Sequence, residues 1–169
     1  MTGWWAAAFV VLWLLVAVLA VVVIALARQV GLLHLRLGPR GALEIDTEGP
    51  PLGEAPPPMT ARTADGPPEQ LGGPGPLRLV LFSSPTCPIC REVAPGIPVA
   101  ARAAGMVPQV LHDPEAERRY AVPGTPYLVV LDELGLVRAK GTVNDLEQVE
   151  GLVDTALDRI AQGAERWAS

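Results

Sequence analysis

Residues 4 to 27, WWAAAFVVLWLLVAVLAVVVIALA, run for 24 positions without a charged side chain. Inside a bilayer the backbone amides and carbonyls have no water to bond, so such a run has one stable spanning form, an α-helix. At about 1.5 Å rise per residue, it is long enough for a hydrocarbon core of about 30 Å. Trp4 and Trp5 suit one interface and Arg28 the other. A cleaved signal peptide is the competing reading, because Ala25-Leu26-Ala27 resembles a cleavage site. No Lys or Arg precedes the run, however, and it exceeds the apolar core of about 7–15 residues usual in such peptides. Residues 1–28 are therefore expected to form a retained single-pass anchor in a lipid bilayer.

Residues 29–48 follow as a juxtamembrane segment, polar enough to leave the bilayer and leucine-rich enough to lie along it. Gly38-Pro39 is expected to end any helix there. Residues 49–76 are dense in Pro and Gly, which by composition alone describes a stiff spacer. A second reading takes MTARTADGPPEQL, residues 59–71, as a short hairpin with Asp65-Gly66 as its turn. Charge is divided unevenly. Arg28, Arg36 and Arg40 are the only charged residues before position 41, so residues 41–169 carry −8 against −5 for the whole chain. An acidic soluble part argues against nucleic acid as a partner, which needs a basic surface, and none is expected.

From residue 77 the pattern is that of a folded α/β domain, expected over 77–163. Residues 77–83 (LRLVLFS) predict a strand covered on both faces, because its apolar run is continuous rather than alternating. A helix is predicted from the cysteines to residue 104, then a strand at 107–111 and a helical turn or two in DPEAERRY capped by Asp113. Strands at 127–131 and 136–140 should form a hairpin with Gly135 in its turn. Apolar residues from Leu146 to Ile160 at helical spacing predict a last helix over 145–161, with Asn144 and Glu147 as a capping box. Alternating strands and helices imply a small sheet with helices packed on it. His112, at the mouth of the DPEAERRY turn, reads as a surface or capping residue.

The only two cysteines stand in SSPTCPIC, residues 83–90. Structural zinc takes four ligands, and one C-x-x-C supplies two. The remaining candidates, His34 and His112, do not make a second pair, so no metal and no cofactor is expected. Two inert buried cysteines would be the ordinary alternative, as a free Cys packs like a small apolar residue. Their context speaks against it. A strand running into C-x-x-C at a helix start sets the first thiol over unsatisfied amides and the positive end of the helix dipole, which favours the thiolate. The second lies one turn on, within reach of a mixed disulfide. Cys87 is thus the expected attacking thiol and Cys90 the resolving one. Pro88 costs nothing at the first helical position, where its missing N–H has no partner.

These features resemble the thioredoxin-fold thiol–disulfide oxidoreductases. Pro95 falls where that family kinks its active-site helix, and VPGTPYLVV, residues 122–130, matches its cis-proline loop. The resemblance implies a central mixed sheet flanked by helices and a cis bond between Thr125 and Pro126. It implies that the loop faces the dithiol and pairs with substrate as an added strand. Thr125, Pro126, Thr86 and Pro88 would then contact a protein substrate bearing thiols or disulfides. A narrower similarity covers nearly the whole chain. The anchor with RQVGLLHLRLGPRGAL, then SPTCPIC and TPYLVVLDELGLVRAKGTVN, is similar to the MauD family of membrane-anchored accessory proteins for methylamine dehydrogenase maturation. It implies formation, reduction or rearrangement of disulfides in a partner protein, with a second redox protein recycling the dithiol. It also favours the hairpin over the spacer within residues 49–76. The chain departs from thioredoxins at Thr86, where Trp is usual, and at Leu81, where many carry a buried acid.

Two functions remain open at this stage: a membrane-anchored thiol–disulfide oxidoreductase, and a non-catalytic binding or assembly module on the same fold. For the membrane side, two arguments conflict. The three arginines after the anchor place the domain in the cytoplasm by the positive-inside rule. The resemblance and the persistence of disulfides outside reducing compartments place it on the extracytoplasmic side, which is the expectation adopted.

Overall fold

The structure, a computed structural model, describes residues 3–36 and 48–168. The chain divides into two units, residues 1–39 and 40–169. In the first, α1 (Gly3–Arg36) is a single helix whose Gly3–Val23 stretch has a mean hydropathy of 3.1 and is long and apolar enough to cross a membrane. The large apolar side chains from Trp4 to Val23 are all exposed. The helix runs eight residues past the expected anchor end at Arg28, since no proline stands between there and Arg36 and the single Gly31 is too weak a breaker to end it. The Gly38-Pro39 stop lies outside the described residues.

In the second unit four strands form one sheet in the order β4-β3-β5-β6: β3 (Arg78–Phe82), β4 (Val107–Leu111), β5 (Tyr127–Leu131) and β6 (Val137–Thr142). The β3–β4 pair is parallel and the others antiparallel, a mixed sheet. Both β3 and β5 are buried at every position. Successive side chains alternate between two apolar layers, which is why these strands read as unbroken apolar runs. Leu79, Leu81, Leu128 and Val130 pack on one side with Val93, Ile97, Val149 and Leu152 from the helices. Val80, Phe82, Val129 and Leu131 pack on the other with Ala116, Tyr120, Ala61 and Leu71.

The active-site helix is broken in two. It runs as α2 (Pro88–Val93), a 3₁₀ turn at Ala94–Gly96, and α3 (Ile97–Ala103). Pro95 and Pro98 lack the N–H groups that a continuous helix would need at those positions, so the axis bends there. α4 (Pro114–Arg119) begins at Asp113, whose Oδ1 accepts from the amides of Glu115 and Ala116 at 2.9 and 3.5 Å. α5 (Leu146–Ala168) carries a cap one residue later than expected. Asp145 Oδ1, rather than Asn144, accepts from an amide in the first turn, that of Gln148 at 2.8 Å. Gln148 Oε1 accepts in return from the Asn144 amide at 2.8 Å. Asp145 adds a negative charge at the helix N-terminus, which an asparagine cannot.

Residues 49–76 contain the hairpin, though not its expected turn. β1 (Met59–Ala61) pairs antiparallel with β2 (Glu69–Leu71) in a register that leaves residues 62–68 as the connection. A two-residue turn at Asp65-Gly66 would set Ala64 and Thr63 opposite Pro67 and Pro68, neither of which has an N–H to give. The connection instead lies along β4. The Ala64 amide donates to the Val110 carbonyl at 2.8 Å, and that of His112 to the Arg62 carbonyl at 3.0 Å. At the opposite edge Gly53 N–H donates to the Val137 carbonyl, and Val137 N–H to that of Glu54. Both open edges of the sheet are thus covered by residues whose composition describes a spacer. The buried Lys140 and Tyr127 tie the start of this segment down, their Nζ and OH donating to the Glu48 carbonyl at 2.6 and 3.1 Å.

Candidate active site

β3 ends at Phe82, and Ser83 to Thr86 carry the chain off the end of the sheet into α2. Cys87 is the N-cap of α2, with extended backbone, and is joined to Cys90 by a disulfide. The Cys90 amide donates to Cys87 Sγ at 3.1 Å. That hydrogen bond uses one of the first-turn amides that no helical carbonyl can reach, so it strengthens as negative charge gathers on the sulfur. The two sulfurs differ sharply in access. Cys87 is partly exposed, whereas Cys90 is 1% exposed beneath the helix. A thiolate from outside can therefore reach Cys87 and not Cys90, the asymmetry that an attacking and a resolving cysteine require.

The loop before β5 closes the site. Thr125-Pro126 is a cis bond, as the resemblance implies. The Thr125 carbonyl oxygen lies 3.7 Å from Cys87 Sγ, although the residues are 38 apart in sequence. Pro126 is buried while Thr125 stays partly open. Thr86 and Pro88 are exposed on either side of Cys87. The Thr86 hydroxyl lies 3.0 Å from that of Ser84, which also accepts from the Thr86 amide at 3.4 Å. All four residues expected to contact substrate thus surround Cys87. Exposed Pro85 and Ile89 add an apolar rim.

Sequence reasoning missed the floor of the site. Cys90 lines a cleft of about 440 Å³ together with Ser83, Pro85, Pro95, Asp65 and His112. His112 is neither the cap of α4, which is Asp113, nor a free surface residue. Its Nε2 lies 3.3 Å from the hydroxyl of the buried Ser83. Leu81, standing where many thioredoxins carry a buried acid, is fully buried in the apolar layer under α2 and α3.

No protein-family model matches the chain. Curated relatives do. A methylamine utilization protein MauD from Methylobacillus flagellatus is 36% identical over 172 residues, covering 86% of this chain and 83% of that protein. MauD from Paracoccus denitrificans is 34% identical over 180 residues, covering 91% and 90%. Among solved structures, one described as a protein disulfide isomerase from Bacteroides thetaiotaomicron superposes with a TM-score of 0.52 at 17% identity, over 72% of this chain and 99% of that one. One described as a thiol:disulfide interchange protein DsbE from Chlorobium tepidum does so with a TM-score of 0.51 at 18% identity, over 65% and 98%. These two share the thioredoxin-like fold described above. The chain belongs to the MauD family, and its linked cysteines, one reachable and one sheltered at the head of a thioredoxin-fold helix, make it a thiol–disulfide oxidoreductase.

Proposed function

We propose that this protein is anchored in the membrane by α1 and forms or rearranges disulfides in an extracytoplasmic partner used in methylamine metabolism, methylamine dehydrogenase being the candidate. The observation that carries the chemistry is the pairing of Cys87 Sγ with the Cys90 amide at 3.1 Å, with the Thr125 carbonyl 3.7 Å away. A partner thiolate attacks the accessible Cys87 of the disulfide form, and Cys90 leaves as a thiolate. A second partner thiol then displaces Cys87 from the mixed disulfide, which leaves the partner oxidised and the dithiol reduced. A separate redox protein reoxidises the dithiol for the next cycle. The partner segment lies along Thr125 and Pro126 as an added strand and touches Thr86 and Pro88.

The cysteine variants test this. Cys90→Ser retains the attacking thiol and lacks the resolving one, so it should accumulate mixed disulfides with its partner on non-reducing gels. Cys87→Ser should accumulate none. Equal behaviour of the two variants, or trapping by Cys87→Ser alone, contradicts the roles. If neither traps and the wild type exchanges no disulfide, the binding-module reading takes its place.

A further inference from the structure

We propose that His112, acting through the Ser83 hydroxyl, takes up and returns the proton of the Cys90 thiol during disulfide exchange, an assignment that rests on the dithiol reading above. The residues are 29 apart in sequence, and strand register brings them together. β3 and β4 pair in parallel from Arg78 beside Val107 to Phe82 beside Leu111. The next pair in that register is Ser83 beside His112, and the Ser83 amide continues the ladder by donating to the Leu111 carbonyl at 2.9 Å. Side chains alternate across a sheet, so Ser83 shares a face with Leu79 and Leu81, and His112 with Val110. Those three apolar residues pack in the layer under α2 and α3. The face holding Ser83 and His112 is therefore the one covered by the active-site helix, where Cys90 is buried.

Cys90 needs such a partner. To resolve a mixed disulfide it must become a thiolate, and a free thiol near its ordinary pKa of about 8.5 is mostly protonated at neutral pH. It is 1% exposed, so bulk water has little access except through the cleft it shares with Ser83 and His112. Leu81 on the same face carries no proton. An imidazole exchanges protons near neutrality. The charged groups around it are few. Asp65 from the β1–β2 connection and Arg91 from α2 line the same cleft and are exposed. Arg62 meets His112 through its backbone carbonyl. Asp113 follows His112 directly, with its carboxylate committed to the amides of Arg62, Glu115 and Ala116.

The step balances. The Cys90 S–H gives its proton to Ser83 Oγ as the Ser83 hydroxyl proton passes to His112 Nε2. The Cys90 thiolate attacks Cys87 Sγ, the Cys87–Cys90 bond forms, and the bond from Cys87 to the partner sulfur breaks, releasing a partner thiolate. In the reverse direction His112 returns the proton to Cys90 as it leaves. The partner disulfide is the two-electron oxidant in the first case, and the partner dithiol the reductant in the second.

The reduced full-length protein reacting with 5,5′-dithiobis(2-nitrobenzoate) separates the two thiols in time. Cys87 attacks and releases one coloured thiolate, and Cys90 resolves and releases the second. His112→Gln should slow the second phase at least tenfold at pH 7, a small share of the range of about 10²–10⁴ typical of acid–base catalysis. The first phase should stay within about twofold of wild type by the same reasoning, because Cys87 does not use this proton route. Raising the pH should restore the second phase, since hydroxide then removes the proton. Free imidazole should restore it in His112→Ala. Ser83→Ala should show the same selective loss, and it carries the test if the His112 variants do not fold. An unchanged second phase in both positions overturns the proposal, as does equal slowing of both phases with no recovery at high pH. If wild type itself shows no second phase, or Cys87→Ser keeps the first, the dithiol reading fails rather than the role of His112.

Discussion

Asp113 ties α4 to the β1–β2 connection. Its Oδ1 caps α4 through the amides of Glu115 and Ala116, and its Oδ2 accepts from the Arg62 amide at 2.9 Å with the Arg62 guanidinium 3.7 Å away. Burial by itself pushes this carboxyl up, but the three amide hydrogen bonds and Arg62 outweigh it and hold it below the usual aspartate value of 3.8. A depressed folded-state pKa means stability that is present above about pH 4 and lost as pH falls through the lower folded value. Asp113→Ala should therefore cost about 1–3 kcal/mol at neutral pH, combining a lost cap with an unpaired amide. Urea unfolding at pH 7 and pH 3 checks this, and a gap between variant and wild type that fails to narrow at pH 3 would contradict it. Asp113 as a cap and the two cysteines as a linked pair were legible in the sequence because local spacing alone indicates both: a cap before Pro114, and two thiols separated by two residues. Ser83 and His112 were not, because only the β3–β4 register makes them neighbours. Local pattern carries no information about which strand end lies beside which.

At the scale of elements, legibility followed burial. β3 and β5 were readable nearly to the residue because two-sided covering demands unbroken apolar runs, and the DELG turn because Gly135 takes φ +80° beside the Gly73 carbonyl; β4, in which only Gln109 and Leu111 are buried, carries no such run. What failed was the choice between equivalent local signals. Asn144 and Asp145 can both cap a helix, and the long reach of Gln148 decides for Asp145. Asp65-Gly66 is a good turn dipeptide, but Pro67 and Pro68 remove the donors that a tight hairpin would need beside it. The Pro- and Gly-rich stretch misleads for a related reason. Its residues pair with sheet edges through backbone groups and bury Pro50, Pro56, Ala61 and Leu71, contacts that composition does not encode.

At the scale of the whole molecule, the proposed membrane side sets the redox environment of the dithiol. The three arginines at positions 28, 36 and 40 favour a cytoplasmic domain, while work on partner disulfides favours an oxidising compartment. The redox argument carries more weight here, because three charges are a modest bias and long domains translocate largely regardless of them. Alkaline phosphatase fused after Ser169 should be active, and green fluorescent protein at the same position dark. A fluorescent, phosphatase-negative pair would turn the protein into a cytoplasm-facing reductase. The central claim, an activated attacking thiol at Cys87 and a sheltered resolving thiol at Cys90, meets its most direct test in the alkylation of the reduced full-length protein. Iodoacetamide labelling is followed across pH, and the modified residue is identified by mass spectrometry. The account predicts modification of Cys87 alone in the early reaction, with a midpoint well below the ordinary thiol value of about 8.5. A midpoint at or above that value, or early labelling of Cys90, would contradict it.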